Sequence, residues 1–191
     1  SAHPRAAQRQ AYFRGELEQF LLTAWRERRD PTEPRGSYAG AMGLGQFMPS
    51  SIEKWAVDFD GDGRVDLFHS AQDAIGSVAN YLRAHGWQAG QPVWYAPMFS
   101  SLGVDLATLL APDILPTFSA ADMVHHGVIP QGGMQHPGLL ALVELKNGNN
   151  PPSYIVGTQN FYAITRYNWS SYYALAVYEL GQEVAAARTG T

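Results

Sequence analysis

The chain has 191 residues, of which 46% are hydrophobic, 12% aromatic and 16% charged, with a net charge of −4 at pH 7. That length and apolar share suit one large domain, or a domain with an embedded subdomain, around a real core. No basic block offers a nucleic-acid footprint, no cysteine is present for a disulfide, thiolate metal site or thiol nucleophile, and no run of about 18 apolar residues is available to span a bilayer. Low charge with many Tyr and Trp fits a cleft that stacks on a neutral ring-shaped ligand, and fits equally an aromatic-rich core.

The start, Ser1-Ala-His-Pro-Arg5, carries no hydrophobic segment and reads as a processing boundary or a cut in a longer protein. Residues 8–29 follow the helical i, i+4, i+7, i+8 rule through Phe13, Leu17, Phe20, Leu21, Ala24 and Trp25, and Asp30-Pro31 and Glu33-Pro34 end the run. Residues 36–47 are too rich in glycine for a regular helix. Ser50-Ser-Ile-Glu53 fits a capping box that opens a short helix through Trp55. After an acidic loop, Ser70-Ala-Gln-Asp73 reads as a second cap. The helix behind it is expected to bury Ile75, Val78, Ala79 and Leu82, and Gly86 closes it.

From about 88 to 152 the texture changes. Prolines and glycines punctuate short apolar runs at 93–95, 124–129, 139–145 and 154–156, and Asn147-Gly148 is a turn signal. A small, partly β subdomain is expected there. A final helix from near Ser170 is expected to bury Tyr173, Ala176, Val177 and Leu180. This gives an α+β class, mainly α, with segments 1–87, 88–152 and 153–191. His125 and His126 resemble a metal pair, but neighbours in an extended run face opposite ways, so they are read as structural. Trp87, Trp94 and Tyr95 suit either a groove or a core.

The acidic loop is Asp58-Phe-Asp-Gly-Asp-Gly-Arg-Val-Asp66, with aspartates at positions 1, 3, 5 and 9 and glycine at position 6. That is the front half of an EF-hand calcium loop, a hard oxygen site needing about six to eight ligand atoms. Asp58, Asp60 and Asp62 offer carboxylates and Arg64 its backbone carbonyl. Position 12 is His69, a poor calcium ligand. Asp73 is the nearest later carboxylate, and two roles are open to it: a helix cap, or the closing ligand of an enlarged loop. Asp66 binds through water or faces solvent. A solvated acidic turn is the bland alternative, against which stands the mutual repulsion of four aspartates. A structural Ca2+ is therefore expected.

The glycine-rich segment Gly36-Ser-Tyr-Ala-Gly-Ala-Met-Gly-Leu-Gly-Gln-Phe-Met-Pro-Ser-Ser51 lacks phosphate-loop spacing and lysine. Its small residues admit a close backbone approach, with Ser37 and Gln46 as hydrogen-bonding groups; alone it fits a tight structural turn equally well. Together with the acidic loop, Asp73-Ala-Ile-Gly-Ser-Val-Ala-Asn-Tyr81 and Asn160-Phe-Tyr-Ala-Ile-Thr-Arg-Tyr-Asn168, it closely resembles the membrane-bound lytic murein transglycosylase B family of bacterial peptidoglycan enzymes, including its soluble periplasmic relatives. The motifs run in family order from about Arg9 to Glu183, most thinly across 96–150.

The resemblance implies a lysozyme-like core with an EF-hand-like calcium loop and a small inserted β-containing subdomain. It implies cleavage of the β-1,4 bond between N-acetylmuramic acid and N-acetylglucosamine, leaving 1,6-anhydromuramic ends. It implies an active cleft touching Ser37, Gln46, Tyr81, Tyr167, Asn168, Tyr173 and Arg9, with calcium ligands Asp58, Asp60, Asp62, the Arg64 carbonyl and Asp73. Peptidoglycan strands are the expected partner, in the bacterial periplasm or envelope, with an outer-membrane lipid anchor possible on an upstream segment.

One element of the family pattern is missing. The catalytic Glu of a Val-Glu-Thr-like motif is absent from this sequence. Glu16 and Glu18, in Gly15-Glu-Leu-Glu18, are expected on the exposed side of the first helix. The chain is therefore expected to be part of a longer enzyme whose missing N-terminal segment carries the acid, and to be inactive alone. A non-catalytic peptidoglycan-binding module and a calcium-stabilised structural domain are the alternatives.

Overall fold

The structure is a computed structural model that describes residues 6–189. The expected boundary at Ser1–Arg5 lies outside the described residues. The described chain is α+β and mainly α, with seven helices and five short strands. It divides into two compact units, one up to Ala84 and one from His85 onward.

The first unit holds three helices: α1 (Ala6–Glu27), α2 (Pro49–Trp55) and α3 (Ala71–Ala84). Helix α1 stops where Arg28 takes a positive φ of 54°, and Asp30 Oδ1 then accepts from both the N–H and the hydroxyl of Thr32. The expected apolar face of α1 is buried only in part: Ala24 is buried and Phe20 half-buried, whereas Phe13, Leu17, Leu21 and Trp25 are exposed, and Glu16, expected on the exposed side, is buried. The face that packs is the one turned to α2. Helix α3 departs from expectation in the same way. Of the expected face Val78 and Leu82 are half-buried but Ile75 and Ala79 are exposed, whereas Asp73, Ala74, Gly76, Ser77 and Tyr81 are buried. The reason is polar. Ser77 Oγ accepts from Val57 N–H, Asn80 Nδ2 donates to the Trp55 carbonyl, and Gly76 leaves room for the Phe59 ring. The closing role of Gly86 is seen, with φ +93° just beyond the helix.

The expected capping box at α2 does not form. Its N-cap is Met48, which has no side-chain acceptor, with proline at the first turn. Glu53 instead pairs with Arg26 at 2.7 Å. The free N–H groups at the helix start need an acceptor from elsewhere, and Glu16 supplies one.

The second unit is built on a three-stranded antiparallel sheet of order β1 (Trp94–Tyr95), β5 (Asn150–Gly157), β4 (Ala141–Asn147). The β4–β5 hairpin turns at Gly148, at φ +64°, as Asn147-Gly148 foretells. Strand β5 runs unbroken through residue 152. A two-stranded ribbon pairs β2 (Pro97–Phe99) with β3 (Val128–Pro130). Short helices α4 (Leu106–Leu110) and α5 (Ala120–His125) cover this layer. Leu109, Met123, Val128, Leu140, Leu142 and Val156 form its dry core, each fully buried. Each such side chain contributes about 1.5–3 kcal/mol.

The extended run expected at 124–129 is strand only from Val128. His125 ends α5 and His126 caps it, so the two rings meet edge to face at 5.2 Å rather than facing apart. His126 Nδ1 lies 3.3 Å from Asp105, the N-cap of α4, which keeps the pair structural.

Helix α6 (Gln159–Tyr167) has no counterpart among the expected helices, and α7 (Ser171–Thr189) matches the final one. Thr158 caps α6, accepting from Asn160 N–H. Asn160 is buried and ties the 88–91 loop: its Oδ1 accepts from Gln88 N–H, and its Nδ2 donates to the carbonyls of Gln88 and Gln91. Among the described residues of α7 only Ala174 is buried; Tyr173 is half-buried, while Ala176, Val177 and Leu180 are exposed. Helix α7 packs against α6 and β4 of its own unit, and the expected stripe of Ala176, Val177 and Leu180 is not the face that packs.

Candidate functional site

Within the first unit, α1, the 31–42 segment and Pro49 wall a groove of about 670 Å³. Arg9 from α1 and Ser37 from the glycine-rich segment both line it, with Glu16, Phe13 and Tyr38. Ser37 is held by its own turn: its Oγ accepts from Ala41 N–H at 3.1 Å, and its N–H donates to the Ala41 carbonyl. The groove is largely apolar, with Arg9, Glu16 and Ser37 as its polar side chains, a lining that suits a ring-shaped ligand carrying a few hydrogen-bonding groups.

Gln46 lies outside that groove, on the tip of a tight hairpin. Met42 and Phe47 exchange two backbone bonds, 2.8 and 3.0 Å, and the tip runs Gly43-Leu-Gly-Gln46. Gln46 has a positive φ of 49°, rare for a residue with a side chain. Its Nε2 donates to the Gly43 carbonyl at 2.9 Å. Phe47 next to it is buried against Tyr81, with ring centroids 5.8 Å apart, and Trp55 meets Tyr81 from another side at 6.2 Å. Tyr81 is only 8% exposed, so its ring belongs mainly to the core of this unit.

In the second unit, Tyr167, Asn168 and Tyr173 gather at the α6–α7 junction. Tyr167 ends α6 and Asn168 is its C-cap, exposed and extended. Tyr173 starts α7, its N–H donating to Ser170 Oγ, and burial pushes its hydroxyl pKa up. Arg166 stacks over the Tyr162 and Trp169 rings at 5.5 and 5.1 Å.

The acidic loop brings ligand oxygens of Asp58, Asp60 and Asp62 within 4.8 Å of one another. That set of hard, exposed carboxylates suits a divalent cation of calcium type. The loop is also internally wired. Asp58 accepts from the N–H of Gly61 and Gly63, Asp60 from that of Asp62, and Asp62 from that of Arg64. Asp73 is outside this cluster and 1% exposed. Its Oδ1 accepts from Phe59 N–H at 2.8 Å and its Oδ2 from Asp66 N–H at 2.8 Å. Those two N–H groups, Asp66 first, hold its carboxyl below the usual range. Its backbone N–H is capped by Ser70 Oγ, as the second cap signal expects. Asp66 turns toward His69, whose Nδ1 lies 3.0 Å from Asp66 Oδ2.

Glu16 is the residue that sequence reasoning misplaces. It is 7% exposed, not on the solvent face, and both its oxygens engage Ser50. A readable signal existed: Glu16 stands four and eight positions before Phe20 and Ala24, both at least half-buried. Glu18 is exposed and pairs with Arg14, as expected.

A family model for the transglycosylase SLT domain matches residues 2–182. The chain belongs to that family. It is 45% identical over 186 residues to the membrane-bound lytic murein transglycosylase B of Escherichia coli (strain K12), covering 97% of this chain and 48% of that protein. Among solved structures, the soluble lytic transglycosylase SltB1 from Pseudomonas aeruginosa superposes with a TM-score of 0.80 at 41% identity, covering 97% of this chain and 59% of SltB1. The Escherichia coli lytic transglycosylase Slt35 in complex with calcium gives 0.78 at 45% identity, covering 97% and 55%. The chain thus spans about half the length of the curated relative it matches. Its fold is the lysozyme-like lytic transglycosylase fold, mostly helical with small sheets. No described helix is long and apolar enough to cross a membrane.

Proposed function

We propose that this chain is the glycan-binding part of a peptidoglycan lytic transglycosylase whose general acid lies outside the 191 residues. The observation that carries the reading is the groove shared by Arg9 and Ser37, two residues 28 positions apart that the resemblance assigns to one cleft. Within the first unit Arg9, Ser37 and Gln46 are proposed saccharide contacts, with Tyr81 reaching the ligand through its ring edge or hydroxyl alone; within the second unit, taken by itself, Tyr167, Asn168 and Tyr173 are proposed saccharide contacts. The site of action is the bacterial periplasm or cell envelope.

In the proposed reaction a glutamic acid protonates the glycosidic oxygen between N-acetylmuramic acid and N-acetylglucosamine as the C1–O bond breaks. The muramic 6-hydroxyl then bonds to C1 and returns its proton to the carboxylate, closing the 1,6-anhydro ring. The 2-acetamido group assists, so one carboxyl suffices where the usual glycosidase pair needs two. Such an acid wants a dry setting that keeps it protonated. Among the glutamates of this chain Glu16 alone is buried and lines the groove, but both its oxygens accept hydrogen bonds from Ser50, which is the bonding of a carboxylate rather than of a proton-donating acid. Glu18 is engaged by Arg14, Glu27 by Arg29, Glu53 by Arg26 and Glu144 by Tyr154, while Glu33, Glu179 and Glu183 are exposed.

The loop fits a structural Ca2+, which would be held by Asp58, Asp60 and Asp62 with the Arg64 carbonyl, while Asp73, outside that cluster, braces the loop through the N–H groups of Phe59 and Asp66 and would join the ion only through a remaining lone pair. The relative Slt35 in complex with calcium supports this reading. Bound there, the ion supplies charge neutralisation and a rigid loop. The glutamate inventory also favours a second reading, a module that binds peptidoglycan without cutting it. Digestion of purified peptidoglycan decides between them. The 191-residue chain alone is expected to release no anhydromuropeptides, and a protein extended upstream by the Val-Glu-Thr-like motif is expected to release them. Absence of product from the extended protein favours the binding module. Muropeptide affinity that survives Ser37→Ala, Gln46→Ala and Tyr173→Ala would count against the proposed glycan contacts.

A further inference from the structure

The acidic loop and the Gln46 hairpin meet at one backbone joint. Leu44 N–H, on the hairpin tip, donates to the Leu67 carbonyl at 2.7 Å. Beside it, Gly43 lies so close to Leu67 that a Cβ added there would fall 2.6 Å from the Leu67 oxygen and 3.0 Å from its Cβ. The joint is therefore shut by a glycine, at φ +71°, and by a hydrogen bond side by side. Leu67 is 4% exposed and follows Asp66 directly. Asp66 is the end of the acidic loop, and its N–H is fixed by Asp73, which also holds Phe59 N–H in the loop's first half. On the other side of the joint, the Gly43 carbonyl accepts both the backbone N–H and the Nε2 of Gln46. Five residues therefore connect the carboxylates to the Gln46 side chain: Asp73, Asp66, Leu67, Leu44 and Gly43.

We propose that the acidic loop sets the position of Gln46 through the Leu67–Leu44 joint, so that a divalent cation at Asp58, Asp60 and Asp62 regulates the hairpin and not only the overall stability. This rests on the cation reading and on the assignment of Gln46 to saccharide binding made above. The physical basis is repulsion. Three carboxylates with oxygens within 4.8 Å oppose the closed loop until a cation neutralises them. A loop that splays takes Asp66 and Leu67 with it and loosens the Leu44 bond. The strained backbone of Gln46 makes the tip the element most ready to relax.

Amide hydrogen exchange on the 191-residue chain tests the joint without any glycan. Calcium added after chelation is expected to slow exchange at Leu44 about tenfold or more, in step with a rise in melting temperature. Asp62→Ala is expected to remove both responses. Gly43→Ala is expected to keep the rise in melting temperature but lose the added protection at Leu44. A rise in melting temperature with unchanged exchange at Leu44 would overturn the coupling, and no response of either kind would overturn the cation reading and the coupling together. A second arm titrates an N-acetylglucosamine oligomer at a temperature where circular dichroism shows the chelated chain still folded. Affinity is expected to fall several-fold on chelation in the wild type and to be insensitive to calcium in Gly43→Ala. Absence of oligomer binding in both states counts against the saccharide assignment alone, and exchange at Leu44 still decides the joint.

Discussion

Glu16 Oε1 accepts from Ser50 Oγ at 2.7 Å, and Glu16 Oε2 accepts from Ser50 N–H at 2.9 Å. One carboxylate in the middle of α1 thereby does for α2 what an N-cap side chain normally does. Two glutamates two residues apart, alike in sequence, thus have unlike energies. Glu16→Ala is expected to lose about 2 kcal/mol of stability, because a charged cap goes and Ser50 N–H is orphaned. Glu18→Ala removes an exposed pair with Arg14 and is expected to cost under about 0.5 kcal/mol. Urea melts of the two variants check the contrast, and equal losses would contradict it.

Asn160 uses its side-chain amide three times on the 88–91 loop. Asn160→Ala leaves the Gln88 N–H and the Gln88 and Gln91 carbonyls without these partners, on a loop that keeps access to water. It is expected to cost about 1–3 kcal/mol. Thermal melts give the size, and proteolytic cutting near Gln88–Gln91 is expected to appear first.

The capping box at α5 gives a pH signature. Ser119 Oγ and N–H both donate to Asp122 Oδ2, and these bonds hold the Asp122 carboxyl below its usual value. A carboxyl depressed in the folded state stabilises above the unfolded value, near about 3.9, and the gain is lost as pH falls through the lower folded value. The melting-temperature gap between wild type and Asp122→Ala is therefore expected to be full at pH 5 and above and to shrink below about pH 4. A gap that widens on acidification would contradict the sign.

Calcium at a hundredfold excess over its dissociation constant is expected to add about 2.7 kcal/mol by mass action. Asp58→Ala is expected to abolish the gain, since its two oxygens organise Gly61 and Gly63 at the head of the loop. Differential scanning calorimetry with and without chelator measures both.

What was legible in the sequence was mostly what turns require. The aspartate spacing, the Ser70 cap, Gly86 and Asn147-Gly148 all took the places expected of them, because a turn is decided by the residues within it. Faces of helices were read less well. Ile75 and Leu17 match the helical period, yet they are exposed, because the neighbour of each helix chooses the face that Asp73, Ser77 or Glu16 can bond through. Helix α6 has no helix signal of its own in the sequence, where residues 160–168 stand out only as a family motif, because Phe161, Tyr162, Ile164 and Thr165 favour strand over helix. Burial of Phe161, Ala163 and Ile164 overrides that propensity. Around the candidate site, the clustering of Asp58, Asp60 and Asp62 and the turn at Ser37 are local geometry that the sequence carries in neighbouring residues. The pairing of Arg9 with Ser37 came only by resemblance, and the buried setting of Glu16 depends on chain 34 residues away.

Gln46 occupies a backbone region where glycine is at ease and most other residues are not. Replacing it by glycine relieves a penalty of about 1 kcal/mol. A laboratory screen that rewards heat tolerance alone is therefore expected to enrich glycine at this position and so delete the amide. Any programme to harden this protein would have to select for ligand retention in parallel, or fix residue 46 from the outset.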